Sequence, residues 1–151
     1  MTLLGVDAGQ KGGICVLRDG EVDQLWEMPL LDDRTLDSVS FFNQVSEHHP
    51  DKMIIEQCFK PISLLWMCGE ITSLCKLIDC GIHIVSPNRW KKAILGQVTS
   101  DKAISITRCQ ELYPDVNLIP PRCRVPKDGL AEAVLVARYL YDQEKGCPTT
   151  P

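Results

Sequence analysis

The sequence predicts an α/β protein in which a central mixed five-stranded sheet is flanked by helices. The first 28 residues contain three short apolar segments separated by turn-forming residues, which is typical of an antiparallel meander. Beyond them, helical and strand-like segments alternate, as they do when helices cover a sheet. A late segment, residues 127–140, is apolar almost all the way round a helix and therefore predicts a helix buried against that sheet.

The predicted elements follow in chain order. The strands are Leu3–Asp7, Gly12–Arg18, Val22–Met28, Lys52–Gln57 and Ile82–Val85, and the helices are Leu36–His48, Ile62–Ile78, Asn88–Ile94, Asp101–Leu112 and a last helix that opens at Asp128. The turn "RDGE" joins the second and third strands. Val39, Phe42 and Val45 are expected to form the buried stripe of the first helix. Ser100 is expected to cap the fourth helix.

Length and composition favour a single soluble domain. The chain has 151 residues, of which 44% are hydrophobic and 24% are charged. We expect residues 1–144 to form this domain and residues 145–151, "KGCPTTP", to be a flexible tail. No apolar run approaches the roughly 20 residues that span a bilayer, and the N-terminus lacks the basic segment of a signal peptide. We therefore expect a cytoplasmic protein with no membrane partner, whose eight cysteines are mostly buried thiols.

The charge is unevenly distributed along the chain. The net charge of −4 argues against a nucleic-acid partner, because phosphate binding normally needs a basic surface. Residues 86–127, however, contain eight Lys and Arg against three Asp and Glu, whereas residues 1–85 contain six against thirteen. A basic segment in an acidic chain is compatible with a local track for phosphates.

Four carboxylates stand at the ends of predicted elements. Asp7 ends the first strand, Glu56 ends the fourth, and Asp128 and Glu132 open the last helix four residues apart. If the first and fourth strands are neighbours in the sheet, Asp7 and Glu56 come together near its centre. Carboxylates at such spacing repel one another, and a buried one without a partner costs several kcal/mol. Hard divalent cations, Mg²⁺ or Mn²⁺, would resolve this conflict.

Two such ions in one site would favour hydrolysis of a phosphodiester bond, because they stabilise both the attacking and the departing oxygen. Each carboxylate alone also has an ordinary explanation. Asp7 could cap a turn, Glu56 could pair with a lysine, and Asp128 could be the N-cap of its helix. The occurrence of all four at the ends of elements is much harder to explain in this way.

Three segments of the chain resemble the acidic motifs of the RuvC-type Holliday junction resolvases, especially the short forms found in phages. These segments are "GVDAGQKGG", "IIEQCF" and "KDGLAEAVLVA", while "GIHIVSPNRWKKAILG" and "SDKAISITRCQELYP" are similar to the family's basic helix and lysine-bearing helix. The match covers about residues 3–141 in the family's order and spacing. It implies an RNase H-like fold and a homodimeric endonuclease that uses Mg²⁺, with Mn²⁺ able to substitute, to nick opposed strands of a four-way DNA junction. A phage protein of this kind would act in the cytoplasm of its bacterial host.

The resemblance also implies roles for individual residues. The expected metal ligands are Asp7, Glu56, Asp128 and Glu132, and Lys102 is expected near the scissile phosphate. The expected DNA contacts are Phe59, which matches an aromatic at the junction centre, Arg89, Lys91 and Lys92, which flank Trp90, and Arg122 and Arg124 in the loop before the last motif. The family uses the helix Ile62–Ile78 as its dimer interface. Glu132 departs from the family pattern, which more often has Asp there, and several members space the last pair by three residues.

Two other functions fit parts of the sequence. The segment "GVDAGQKGGICVL" also resembles the phosphate loop of actin-like ATPases and sugar kinases, but those chains are usually over twice as long and carry a second glycine-rich loop. A non-catalytic protein that binds branched DNA on the same scaffold is the other alternative. Four retained acidic positions argue against it, because a binder of polyanions would gain by losing them.

Overall fold

The computed structural model describes residues 1–146; residues 147–151, which make up most of the predicted tail, lie outside the described residues. The strands are β1 (Thr2–Asp7), β2 (Gly13–Arg18), β3 (Glu21–Glu27), β4 (Lys52–Glu56) and β5 (Gly81–Val85). The helices are α1 (Ser38–Ser46), α2 (Ile62–Leu77), α3 (Pro87–Leu95), α4 (Lys102–Leu112) and α5 (Asp128–Glu144). Each of the ten predicted strands and helices is present.

The five strands form one mixed sheet in the order β3-β2-β1-β4-β5. The first three strands are antiparallel neighbours, and β4 and β5 are parallel additions on the other side of β1. This confirms the predicted α/β class with a central mixed sheet. It also confirms the expectation that the first and fourth strands are neighbours.

Helices cover both faces of the sheet, and each face has its own apolar core. Because side chains alternate along a strand, Leu3 and Ile54 face α3, α4 and α5, whereas Leu4 and Ile55 face α1 and α2. The same alternation places Asp7 with Leu3, and Glu56 with Ile54, on the side of the sheet that α5 covers.

Helix α5 lies unusually close to the sheet. Ten of its residues are buried, which confirms the prediction made from residues 127–140. Gly5 in β1 makes the approach possible, since a Cβ atom there would lie only 2.2 Å from the backbone oxygen of Ala133. The absence of a side chain at Gly5 therefore lets α5 sit directly on the central strand.

Two details of the predicted helices are wrong. Val45 of the predicted stripe is buried, but Phe42 is only partly buried and Val39 is exposed. The second buried residue of α1 is Phe41, which lies four residues before Val45 and therefore on the same face of the helix. The cap of α4 is Asp101 rather than Ser100. The Asp101 carboxylate accepts a hydrogen bond from the backbone N–H of Ala103 at 3.0 Å.

Helix α2 is apolar around most of its circumference but buries only one stripe, formed by Met67, Ile71 and Cys75. Its opposite side carries exposed apolar residues, among them Trp66 and Leu77. None of the helices within residues 1–146 combines the length and the apolar character needed to cross a membrane.

Candidate active site

Two of the four carboxylates lie side by side at the end of neighbouring strands. The parallel register of β1 and β4 pairs Val6 with Ile55, and the next residues along the two strands are Asp7 and Glu56. Both side chains point to the face covered by α5, as described above. The central strands thus present two acidic groups beneath the start of that helix.

The start of α5 is held against the first hairpin by glycine. Gly12 and Gly129 form a parallel bridge, and a Cβ atom on Gly129 would lie 2.0 Å from the backbone oxygen of Lys11. Since no other residue fits this approach, Gly129 brings the adjacent Asp128 close to the end of β1. The N-cap residue of α5 is Lys127, so Asp128 lies inside the first turn and is not the cap.

The other three carboxylates all act on Asp7. Desolvation raises the pKa of Asp7 well above its usual range, and the negative charges of Glu132, Glu56 and Asp128, in decreasing order, raise it further. Only the ammonium of Lys91 acts in the opposite direction. Glu132 is therefore the carboxylate whose negative charge raises the pKa of Asp7 most.

Two lysines neutralise the carboxylates of α5. The Lys91 ammonium lies 3.0 Å from Glu132 Oε1, and the Lys102 ammonium lies 2.5 Å from Asp128 Oδ2. The buried hydroxyl of Ser105 also donates to Glu132 Oε1 at 3.0 Å. The hydrogen bond and charge of Asp128 raise the pKa of Lys102, so this lysine stays charged.

Glu56 is held by an aromatic side chain rather than by a lysine. The indole Nε1 of Trp90, in α3, donates a hydrogen bond to Glu56 Oε2 at 2.6 Å. Desolvation raises the pKa of Glu56, and this hydrogen bond together with the charge of Lys91 offsets part of that rise.

The residues at this site have the chemistry that a hard divalent cation requires. Asp7, Asp128 and Glu132 line one cavity of about 310 Å³ together with Lys91 and Lys102. Across residues 1–146, no three His, Cys, Asp or Glu side chains are grouped closely enough to hold one metal ion. The carboxylates of α5 are instead turned to the two lysines. The donor set of carboxylate oxygens nevertheless fits Mg²⁺ or Mn²⁺, because both prefer oxygen ligands.

Comparison with solved structures places this site in a known fold. The chain is similar to Thermus thermophilus RuvC in complex with a Holliday junction substrate, with a TM-score of 0.73, 14% sequence identity and coverage of 97% of both chains. It is also similar to a second Thermus thermophilus RuvC structure, with a TM-score of 0.66, 15% identity and coverage of 97% of this chain and 98% of the other. The chain has a RuvC-like fold. This confirms the predicted RNase H-like class.

The likeness at this level of identity establishes the fold. The sequence matches no protein-family model and no curated protein. The two structures named above are Thermus proteins, so the resemblance to the short phage forms stays a prediction.

The other predicted site residues of this RuvC-like chain separate into two groups. Phe59, in the loop after β4, is 72% exposed and is not packed into the core. The exposed basic side chains are Arg89, Lys92, Arg122 and Arg124. Lys91 differs from its neighbours, since its side chain is only 14% exposed and pairs with Glu132 inside the cavity. In this structure Lys91 is a counter-ion of the carboxylates, not part of the exposed basic surface.

Sequence reasoning missed three residues that shape the site. Trp90 was expected only to lie between basic residues, and nothing in the sequence indicates that its indole N–H reaches Glu56. Nothing in the sequence around Ser105 indicates that its hydroxyl donates to Glu132. The sequence does give an indication for Gly129, because glycine inside the first turn of a helix weakens it and usually has a packing reason.

Proposed function

We propose that this protein is a Holliday junction resolvase, a structure-selective endonuclease that hydrolyses phosphodiester bonds in four-way DNA junctions. The observation that carries the proposal is the convergence of Glu56, Asp128 and Glu132 on Asp7 in a RuvC-like fold. Three separate elements, β1, β4 and α5, supply these groups. Mutual repulsion of this kind lowers stability, so a purely structural protein would gain by losing it.

Asp7, Glu56, Asp128 and Glu132 would hold Mg²⁺, with Mn²⁺ able to substitute. A pair of bound cations supplies an activated water and neutralises the charge that develops on the departing 3′ oxygen. To bind them, Asp128 and Glu132 would have to turn away from the two lysines.

The two lysines would then have different tasks. Lys102 lies at the rim of the cavity with an exposed side chain, so its ammonium can bind the scissile phosphate once Asp128 has turned away. Lys91 is enclosed, and its charge lowers the pKa of both Asp7 and Glu56. It would offset part of the rise in these two pKa values and so favour the ionised form that binds a cation.

DNA would be held by residues around the cavity. Arg89, Lys92, Arg122 and Arg124 are exposed and would contact backbone phosphates. Phe59 follows Glu56 by three residues and is exposed, so its ring can stack on a base at the opened centre of a junction, a contact typically worth about 1–3 kcal/mol.

A homodimer would explain the exposed apolar side of α2. Ile62, Trp66 and Leu77 are all more than two-thirds exposed on this helix, and Ile84 in the edge strand β5 is also exposed. Apolar residues grouped in this way mark an interaction surface. A second copy that covers this surface with its own α2 would place two active sites against the opposed strands of one junction.

A cleavage assay tests the proposed function. We expect the protein with Mg²⁺ to nick a synthetic four-way junction in preference to duplex DNA of the same sequence. Asp7→Asn and Glu56→Gln should abolish cleavage while junction binding persists, because each removes a ligand charge without changing the basic surface. Asp32→Asn, at an exposed acidic residue in the loop between β3 and α1, is the matched control and should cleave normally.

Each alternative predicts a different result in the same assay. Full cleavage by the Asp7→Asn protein would remove the argument for a metal site. Junction binding without cleavage under any divalent cation would favour a non-catalytic branched-DNA binder. Hydrolysis of ATP without nuclease activity would favour the nucleotide-binding alternative.

A further inference from the structure

The hydrogen bond between Trp90 and Glu56 has no counterpart among the contacts expected from the sequence. Trp90 is 1% exposed, and its indole N–H points to a carboxylate at 2.6 Å. We propose that Trp90 is a positioning residue, whose N–H fixes the Glu56 carboxylate so that the other oxygen, Oε1, remains free for a divalent cation. This inference rests on the proposed function, because it assigns Trp90 a role towards the metal of that site.

Glu56 needs an external support to be a well-placed ligand. It is the last residue of β4, and the chain leaves the sheet directly after it. Its side chain has three rotatable bonds, and free rotation about them would spread the carboxylate over many orientations. A hydrogen bond to an ionised acceptor is shorter and stronger than one between neutral groups, and it fixes one oxygen in direction. Within the described residues, the indole is the only side chain that donates to the Glu56 carboxylate; the Cys58 thiol donates to the backbone oxygen of Glu56 instead.

The indole suits this task better than a charged donor. An arginine or lysine at the same place would neutralise Glu56 and repel an incoming cation. The indole N–H carries no net charge, so it orients the carboxylate while leaving its charge available to the metal. Groups that hydrogen-bond to metal-ligating carboxylates typically act in this way.

The rest of the indole is rigidly fixed. Trp90 belongs to the core cluster formed by α3, α4, α5 and the sheet, together with Ile94 and Leu135. A donor held in a packed core keeps its direction when the metal is absent, whereas a donor on an exposed side chain would not.

Trp90 also contacts the second half of the site. The ammonium of Lys91 lies 5.2 Å from the centroid of the indole ring, within the range of a cation–π contact, and 3.0 Å from Glu132. One aromatic side chain therefore touches the ligand from β4 and, through Lys91, the ligand from α5. In the metal-free protein it therefore links the positions of two carboxylates that belong to different elements.

The first test detects the hydrogen bond itself and needs no metal. The chain contains three tryptophans, so the indole N–H signals in a ¹⁵N-labelled sample can be assigned with single Trp→Phe variants. We expect the Trp90 signal to be the furthest downfield and the slowest to exchange with D₂O, and to move upfield in Glu56→Gln. A Trp90 signal that does not respond to Glu56→Gln would overturn the proposal.

The second test measures binding of Mn²⁺ to the DNA-free protein by calorimetry. Trp90→Phe keeps an aromatic ring but loses the donor, and we expect its dissociation constant for Mn²⁺ to rise about 10- to 100-fold. Trp26→Phe, in β3, is the matched control and should bind Mn²⁺ like the wild type. If Trp90→Phe does not fold, incorporation of 3-benzothienylalanine at position 90 replaces only the N–H with sulfur and should give the same loss.

The two tests distinguish a failure of the role proposed for Trp90 from a failure of the proposed function. Wild-type binding of Mn²⁺ with unchanged affinity in both position-90 variants would refute the role of Trp90 and leave the nuclease proposal intact. A wild-type protein that binds neither Mn²⁺ nor Mg²⁺ would refute both, whatever the NMR spectrum shows.

Discussion

Helices α2 and α5 are the two longest helices of the protein, with 16 and 17 residues, and they lie on opposite faces of the sheet. Both are apolar around most of their circumference. Helix α5 buries ten residues, because the sheet covers one side of it and α3 and α4 cover the others. Helix α2 buries three, and among the described strands and helices its main packing partners are β5 and α1.

The difference shows that the apolar character of a helix indicates how much of its surface is buried in the functional protein. It does not indicate whether the same chain or another molecule buries that surface. For α5 the cover is the chain itself, and the close fit at Gly5 and Gly129 positions two carboxylates. For α2, we propose that a second copy of the protein buries the exposed apolar side. At Gly69, on its exposed side, an added Cβ atom would meet nothing within 4 Å. We therefore expect Gly→Ala substitutions to have opposite effects on the free energy of unfolding in the two helices.

The largest expected effect is that of Gly129→Ala in α5. The added methyl group would meet the backbone oxygen of Lys11, which cannot move without disturbing the first hairpin. We expect a loss of about 3 kcal/mol in the free energy of unfolding, at the upper end for overpacking. Urea denaturation measures it. A loss below about 0.5 kcal/mol would contradict the close approach of α5.

A smaller effect is expected from Trp66→Glu in α2. Trp66 is 77% exposed, so the change should leave the stability of the monomer nearly unaltered. In a dimer it would bury a charge, and we expect the dissociation constant to rise at least about 30-fold, as for a hot-spot residue. Analytical ultracentrifugation provides the measurement. Val125→Glu, at an exposed apolar residue in the loop before α5, is the control and should not affect association.

Asp7→Asn is expected to stabilise the metal-free protein. The folded state raises the pKa of Asp7, so it binds the proton more tightly than the unfolded chain does. Wild-type stability should thus fall as the pH rises from the usual carboxyl range through this raised pKa, and the loss is complete above it. Asn does not titrate, so the variant should be more stable by on the order of 1 kcal/mol at pH 8 in EDTA.

Unfolding curves at pH 5 and pH 8 test this prediction. The advantage of the variant should be larger at pH 8, and it should shrink or reverse when Mg²⁺ replaces EDTA, because only the wild type gains stability from the bound cation. An advantage that does not depend on pH would show that repulsion at Asp7 is not its source.

The smallest effect is expected from Gly69→Ala, the counterpart of Gly129→Ala. Alanine favours helix and meets open space at this position, so the monomer should gain about 0.5–1 kcal/mol. The same urea denaturation experiment at low protein concentration gives the value. A destabilised monomer would mean that this side of α2 is covered within the chain.

The sequence was sufficient to predict the order and type of all ten elements, because the apolar patterns and turn residues are local signals. The meeting of Asp7 and Glu56 required one further step, that β1 and β4 are neighbours, and the structure confirms it. The position of Asp101 as the cap of α4 differed by one residue from the prediction. Both Ser100 and Asp101 are good caps, so propensity could not separate them.

The electrostatic arrangement of the site was beyond prediction. Lys91 and Lys92 are adjacent in sequence and equal in charge, yet one is enclosed and the other exposed. Which of the two turns inward depends on the rotation of α3, and this rotation is set by the burial of Trp90. Pairwise contacts of this kind between distant elements are decided by packing and leave no periodic pattern in the sequence.

The bridge between Gly12 and Gly129 has a consequence for the order of events during translation. It ties the first hairpin to the last helix, and α5 brings two of the four acidic groups. A nascent chain that has emerged from the ribosome only as far as β5 has the complete set of strands but only two of the four carboxylates that we propose as metal ligands. If the proposed function is correct, cleavage activity would therefore appear only after α5 has been synthesised and has packed against the first hairpin.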